Sequence, residues 1–240
     1  MSENHTNPPA RPSLQSRVLY EDNHLLIINK LPSEIVQGDK SGDIPLSEIV
    51  REYIRVKYNK PGNAFLGVVH RLDRPVSGAV IFARTSKGLT RLNEMLRERT
   101  IRKTYWAVVK NLPSPDNGHL MHFMVRNEQQ NKSYCFDDER KNSSRAELDY
   151  RLIGRSDRYF LLEVDLHTGR HHQIRAQLAH IGCPIKGDLK YGFDRSNPGG
   201  FIHLHARSVS FEHPVSKVLI HIVASPPADP VWDVFKEVTT

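Results

Sequence analysis

His70-Arg71-Leu72-Asp73-Arg74-Pro75-Val76-Ser77-Gly78 sits between a polar run containing glycine and proline, Asn59 to Gly67, and the apolar run Ala79-Val80-Ile81-Phe82-Ala83. The apolar run reads as a strand, so the residues before it form a loop that feeds the sheet. Pro75 fixes a backbone angle, and Gly78 permits a turn that other residues tolerate poorly. A single carboxylate, Asp73, stands close to two arginines, Arg71 and Arg74. Guanidinium charge beside a carboxylate favours its ionised form, which a nucleophile or a base needs. On spacing alone the ordinary reading, a surface ion pair, is favoured, because structural pairs outnumber catalytic carboxylates.

Working outward, Val18-Leu19-Tyr20-Glu21 and His24-Leu25-Leu26-Ile27-Ile28-Asn29, joined by Asp22-Asn23, read as a tight hairpin. Leu46 to Tyr58 has its apolar residues at helical spacing. Thr85 or Ser86 caps a second helix, with Leu89, Leu92, Met95 and Leu96 on one face and Arg91, Arg97 and Arg99 on the solvated one. Lys103 to Val109 is a strand. Asn111 to Asp138 reads as irregular, with short strands around Met121 to Val125 and Lys132 to Phe136. Ala146 to Ile153 and Tyr159 to Leu166 form a strand pair, and a helix over His171 to Ile181 stops at Gly182. Strands at Ala206 to Phe211 and Val218 to Val223 and a short helix at Val231 to Lys236 complete the chain. Strands outnumber helices without regular alternation, which predicts a mixed α+β sheet flanked by helices and loops.

The 240 residues suffice for a substantial core, and Lys plus Arg exceed Asp plus Glu to give a net charge of +7. That excess suits a polyanion, of which nucleic acid is the commonest. Two cysteines, Cys135 and Cys183, cannot staple a chain of this size, so a reducing, cytoplasmic setting is expected. No apolar run reaches membrane-spanning length. Residues 1–16 are polar and proline-rich and are expected to be a disordered tail, leaving residues 17–240 as one domain acting as a monomer.

A second cluster, His167-Thr168-Gly169-Arg170-His171-His172-Gln173-Ile174-Arg175, puts cationic side chains at a helix start, where unpaired N–H groups already favour an anion. Arg170, His172 and Arg175 can serve a phosphate or fix a carboxylate there. Arg175 also has an ordinary alternative, a pair with Glu163 or Asp165. The histidines raise a metal reading, since His172 and His180 are two turns apart. No carboxylate or cysteine lies nearby in sequence to complete such a site, and no metal is expected.

Taken together, His70-Arg71-Leu72-Asp73 with Arg74-Pro75-x-Ser77-Gly78 resembles the signature loop of the RluA-type RNA pseudouridine synthases. Thr168-Gly169-Arg170 with His172-Gln173-Ile174-Arg175, then Gly187-Asp188-x-x-Tyr191-Gly192, resembles that family's second motif. Lys103-x-Tyr105-x-Ala107 and Leu204-His205-Ala206 follow its strands. Val76 stands where the family usually has threonine, and Lys30-Leu31-Pro32-Ser33 departs from its usual Lys-Pro-x-Gly. The resemblance covers about Val18 to Ala224 and implies a largely antiparallel, bent sheet without the small N-terminal RNA-binding domain that many members carry.

It also implies an isomerase that turns uridine in rRNA or tRNA into pseudouridine, with Asp73, Tyr105 and Arg175 as catalytic residues. His70, Arg71, Arg74, Arg170 and His172 are expected to bind substrate. The reaction breaks the ribose bond to N1 and remakes it to C5, with no redox change, so neither cofactor nor metal is required. The uracil must leave the helix stack, at a cost of a few kcal/mol. Tyr105 would stack on the flipped base and Arg71 would fill the gap. Two rivals predict other behaviour. A histidine-based metal nuclease would cleave RNA and stop with a chelator, and a non-catalytic RNA-binding protein on the same fold would bind RNA without changing it.

Overall fold

The computed structural model describes residues 12–236, and the expected hairpin is present in them: β1 (Val18–Glu21) pairs antiparallel with β2 (Leu25–Lys30). Of the tail expected over residues 1–16, residues 1–11 lie outside the described residues. Its end is ordered, because Gln15–Arg17 makes a short 3-10 turn. Arg17 is buried there with its guanidinium 2.8 Å from Glu34.

Next come α1 (Leu46–Lys57), β3 (Gly67–Val68), β4 (Ser77–Ala83) and α2 (Ser86–Arg97). The helices start where the sequence says they should. The Thr85 hydroxyl accepts the Gly88 N–H at 3.1 Å, satisfying one orphan donor of α2. Then follow β5 (Arg102–Val109), β6 (Asn117–Asn127), β7 (Lys132–Phe136), β8 (Ser144–Arg155) and β9 (Phe160–Leu166). The region read as irregular therefore contains an eleven-residue strand, β6, paired with β8 from Asn117 to Met124 and with β7 from Phe123 to Asn127. Its polar residues hid it: Asn117, His119 and Arg126 face water on a half-exposed strand. The chain ends with α3 (Gln173–His180), β10 (Leu204–Glu212), β11 (Leu219–Val223) and α4 (Pro230–Asp233). α3 starts two residues later than its sequence pattern suggests, because His172 is left-handed at φ 55°.

Eleven strands join one sheet in the order β1-β2-β4-β10-β5-β9-β8-β6-β7, with β11 on β10 and β3 on β4. Among the described residues only the β4–β10 contact is parallel. β10 is thus inserted between β4 and β5, which are neighbours in sequence. At the seam, Gly78 (φ 118°) pairs with Ala206, and a Cβ there would lie 2.4 Å from the Ala206 carbonyl oxygen. Glycine is required by both the angle and the space.

Strand alternation sends one set of side chains to each face. Leu26, Ile28, Val80, Phe82, Ala107 and Val164 pack with α1 and α3 in the larger core. Leu25, Ile27, Ala79 and Ile81 face the other way, toward Leu92 of α2 and the β10–β11 hairpin. Trp232 and Phe235 cover that far face over Val108 and Leu161. The rest of the far face, beneath β5, β9 and β8, is an open groove.

Candidate active site

The loop before β4 and the turn before α3 meet over β5. Asp73, Tyr105 and Arg175, expected to act together, line one open cleft of about 420 Å³ with His70, Arg71, Arg170 and His172. Arg175 is buried, at 5 % exposure, on an α3 whose residues Gln173 to Leu178 are all buried. Its Nη1 donates to Asp73 Oδ2 at 3.1 Å. Its Nε and Nη2 donate to the two oxygens of Asp188 at 2.7 and 2.8 Å, a bidentate pair. Neither Glu163 nor Asp165, weighed as partners from sequence, takes this guanidinium. Burial works against its charge, but Asp188 and then Asp73 outweigh it and hold Arg175 firmly protonated.

Asp188 is 1 % exposed and was not singled out in the sequence. A buried carboxylate in Gly187-Asp188 needs a cation, and the nearest motif arginine is Arg175, which is the signal that could have found it. Tyr191 is the second addition. Its hydroxyl accepts the Ser133 N–H at 2.9 Å and lies 3.0 Å from His172 Nδ1. The same hydroxyl donates to the Ser133 carbonyl at 3.2 Å, and His172 Nε2 lies 3.4 Å from Asp73 Oδ2. Burial, and then Arg175, push the His172 pKa down to about 2, so the ring beside Asp73 is neutral and forms no ion pair with it. Asp73 is therefore held by one charged donor, Arg175, with the neutral His172 ring next to it.

Tyr105 is buried on β5, and burial followed by the nearby Asp73 pushes its phenol well above its ordinary range. It stays protonated at neutral pH. His70 is tied into the loop, its Nε2 accepting the Ile81 N–H at 3.2 Å, which leaves only Nδ1 to face a substrate. Burial, and then Lys103, lower its pKa to about 3. Arg71 is exposed at the mouth. Arg170 also lines the cleft and reaches the Arg145 carbonyl at 3.0 Å. Arg74 is the exception among the expected substrate ligands. It does not line the cleft; Asp43 at 2.5 Å and Asp39 at 3.4 Å hold it on the outer side of the loop. Those acids lie more than thirty residues away, so nearness in sequence to Asp73 misled.

The turn that delivers Arg175 is built from its own side chains. Gln173 Oε1 accepts from the Thr168 hydroxyl at 2.7 Å and the Arg170 N–H at 2.9 Å, and Gln173 Nε2 donates to the Glu147 carbonyl. His172 and His180, weighed and set aside as a metal pair, have different neighbours. His180 meets Asp137 at 2.9 Å with His122 beside it, and His119 and His167 each meet Asp149. None of these six residues lines the Asp73 cleft.

The profile of the RNA pseudouridylate synthase family matches residues 24–180. The chain belongs to the RNA pseudouridine synthase family. It is 37 % identical over 224 residues to the ribosomal large subunit pseudouridine synthase C of Buchnera aphidicola from Acyrthosiphon pisum, covering 88 % of this chain and 68 % of that one. It is 34 % identical over 228 residues to the ribosomal large subunit pseudouridine synthase D of Xylella fastidiosa, covering 88 % and 66 %. The chain thus spans about two thirds of the length of these relatives. Among solved structures, human RNA pseudouridylate synthase domain containing 4 shares the fold with a TM-score of 0.76 at 22 % identity, over 94 % of both chains. An RNA pseudouridine synthase is an isomerase, and the mixed, mostly antiparallel sheet is that of its structural neighbours.

Proposed function

We propose that this RNA pseudouridine synthase acts on uridine in large-subunit ribosomal RNA, with Asp73 as the catalytic carboxylate. The observation that carries the reading is the Arg175–Asp73 contact at 3.1 Å in a cleft that also contains Tyr105. The ribosomal target is supported by the names of the relatives in Buchnera and Xylella; transfer RNA is the second reading. Cys135 and Cys183, both free, support a cytoplasmic setting.

The flipped uridine presents its sugar to Asp73, which attacks C1′ or takes a sugar proton. The N1–C1′ bond breaks with its electrons going to the uracil, the ring turns, and C5 bonds to C1′ as the Asp73–C1′ bond breaks or the sugar proton is returned. The C5 proton then leaves and N1 gains one, so the product is an isomer of the substrate. Arg175 and His172 orient Asp73 through this exchange. Tyr105, a neutral phenol, stacks on the detached base and can assist proton removal only through its hydroxyl. Arg71 enters the vacated stack, and Arg170 meets the backbone phosphate.

RNA labelled with tritium at uridine C5 should lose label to water on incubation with the protein. Asp73→Asn should reduce that release by about 10⁴-fold, the scale seen when a catalytic constellation loses its acid, while RNA affinity holds. Release at the wild-type rate would remove Asp73 from the reaction. Binding by the wild-type protein with no release from any RNA would favour a non-catalytic RNA-binding protein.

A further inference from the structure

A much larger groove, about 1570 Å³, lies on the far face of the sheet and meets the Asp73 cleft at its rim. His70, Lys103, Leu166, Gly169 and Arg170 line both. We propose that this groove carries the single-stranded RNA that flanks the target uridine. The inference rests on the reading of the chain as an RNA pseudouridine synthase and adds where the rest of the substrate runs.

Charge is the first argument. Along the α2–β5 side stand Arg99, Arg102 and Lys103, none of which has a carboxylate within ion-pairing distance among the described residues. Arg207 adds a fourth cation, lying 4.1 Å over the Trp106 ring and donating to the Ala224 carbonyl. Some arginines elsewhere on the surface are answered by acids, Arg51 by Glu48, Arg55 by Glu52 and Arg155 by Asp116, whereas Arg126, Arg140, Arg158 and Arg195 stand scattered and unpaired with any acid among the described residues. Arg99 follows the C-terminus of α2, where a cation also offsets the helix dipole, but Arg102 and Lys103 are on a strand and have no such role.

The acids that share the groove sit on the neighbouring strands β8 and β9: Asp149 meets His119 and His167, Glu163 pairs with Arg151, Glu147 with Arg145, and Asp165 accepts from the Thr104 hydroxyl. The groove is lined by six Arg and Lys side chains against these four acids, and Lys103 and Arg170 among the cations stand at the cleft mouth. Continuity is the second argument. A flipped nucleotide in the cleft has its neighbours at the rim, and Lys103 and Arg170 are the Lys and Arg side chains that line both spaces. The partner that fits is a phosphate backbone leaving the site, held by cations and tolerant of sequence.

The test uses the full chain and a uridine-bearing hairpin, bare or carrying a single-stranded extension of roughly ten nucleotides on its 5′ or 3′ side. Binding is read by fluorescence anisotropy across a salt series. An extension on one side should tighten wild-type binding about tenfold. The double variant Arg99→Glu, Arg102→Glu should lose most of that gain and flatten the log-log salt slope by about 1.4 for the extended RNA. Arg51→Glu, on α1 and away from the groove, should leave both affinities as they are. No gain from either extension, or equal weakening of both RNAs by the double variant, would overturn the proposal. Tritium release from the bare hairpin by the wild-type protein separates the two ideas. Release without any benefit from an extension sinks only the groove; no release from any RNA sinks the catalytic reading instead.

Discussion

On one face of the sheet Arg175 is buried and donates to Asp73 and to both oxygens of Asp188; on the other, Arg99 and Arg102 are exposed and meet no carboxylate. The residue type is the same and the physics is opposite. A buried guanidinium has lost its hydration, and only acids in fixed positions offset that loss. Such a group can hold another side chain to a fraction of an ångström, but it cannot follow a mobile ligand. An exposed arginine keeps its hydration and its freedom, so it aligns nothing by itself and attracts phosphate by releasing counterions. The two faces divide positioning from gathering.

The sharpest way to break this contrast is Asp188→Asn. It leaves Arg175 buried with one of its two acids gone, which should lower stability by about 3–5 kcal/mol in urea unfolding. At a temperature where the variant is still folded, kcat for label release should fall at least about 100-fold while KM stays within about twofold. A fall in KM alone would mean that Asp188 does not act through the position of Arg175.

A smaller effect concerns protons. His205, His172 and His70 have pKa values of about 4, 2 and 3 against an ordinary 6.5, in each case chiefly because burial disfavours the charged ring. Between those values and pH 6.5 the unfolded chain binds more protons than the folded one. Stability is therefore full above pH 6.5 and falls as pH drops, by up to about 1.4 kcal/mol per pH unit for a fully buried ring such as His205. Urea midpoints at pH 7.5 and 5.5 should show the drop, and His205→Gln should lessen it. Equal midpoints for the wild-type protein would contradict the closed character of these sites.

The smallest effect belongs to the paired surface arginines. Arg55→Ala removes a pair with Glu52 in which both side chains are about half exposed, and the thermal melting midpoint should move no more than the scatter between repeats. A larger loss would blur the line between positioning and surface charge.

The periodic elements were legible in the sequence. Leu25 to Ile28 and Ala79 to Ala83 are apolar on both faces because both faces of the sheet are covered there. α1 and α2 announced themselves by their amphipathic spacing, and α2 by Thr85 as well. β6 was only partly seen, since a strand near the sheet's edge with His119 and Arg126 outward carries too little apolar alternation to register. The resemblance pointed to Asp73, Tyr105 and Arg175, and the fold brings all three to one cleft. What sequence could not supply was the identity of partners. Asp188 claims Arg175 from thirteen positions away, Asp43 draws Arg74 outward, and Tyr191 links His172 to Ser133. Each is a matter of which groups the backbone makes neighbours, and a linear pattern does not encode that.

The seam at Gly78 has a consequence for how the protein comes into being. The strand carrying the Asp73 loop and the strand carrying Tyr105 are joined only through Leu204–Glu212, which is made long after both. A growing chain on the ribosome holds all the first half of the chemistry without the wedge that aligns it. The pairing that sets the Asp73 loop beside Tyr105 therefore waits for the last fifth or so of the chain to be made.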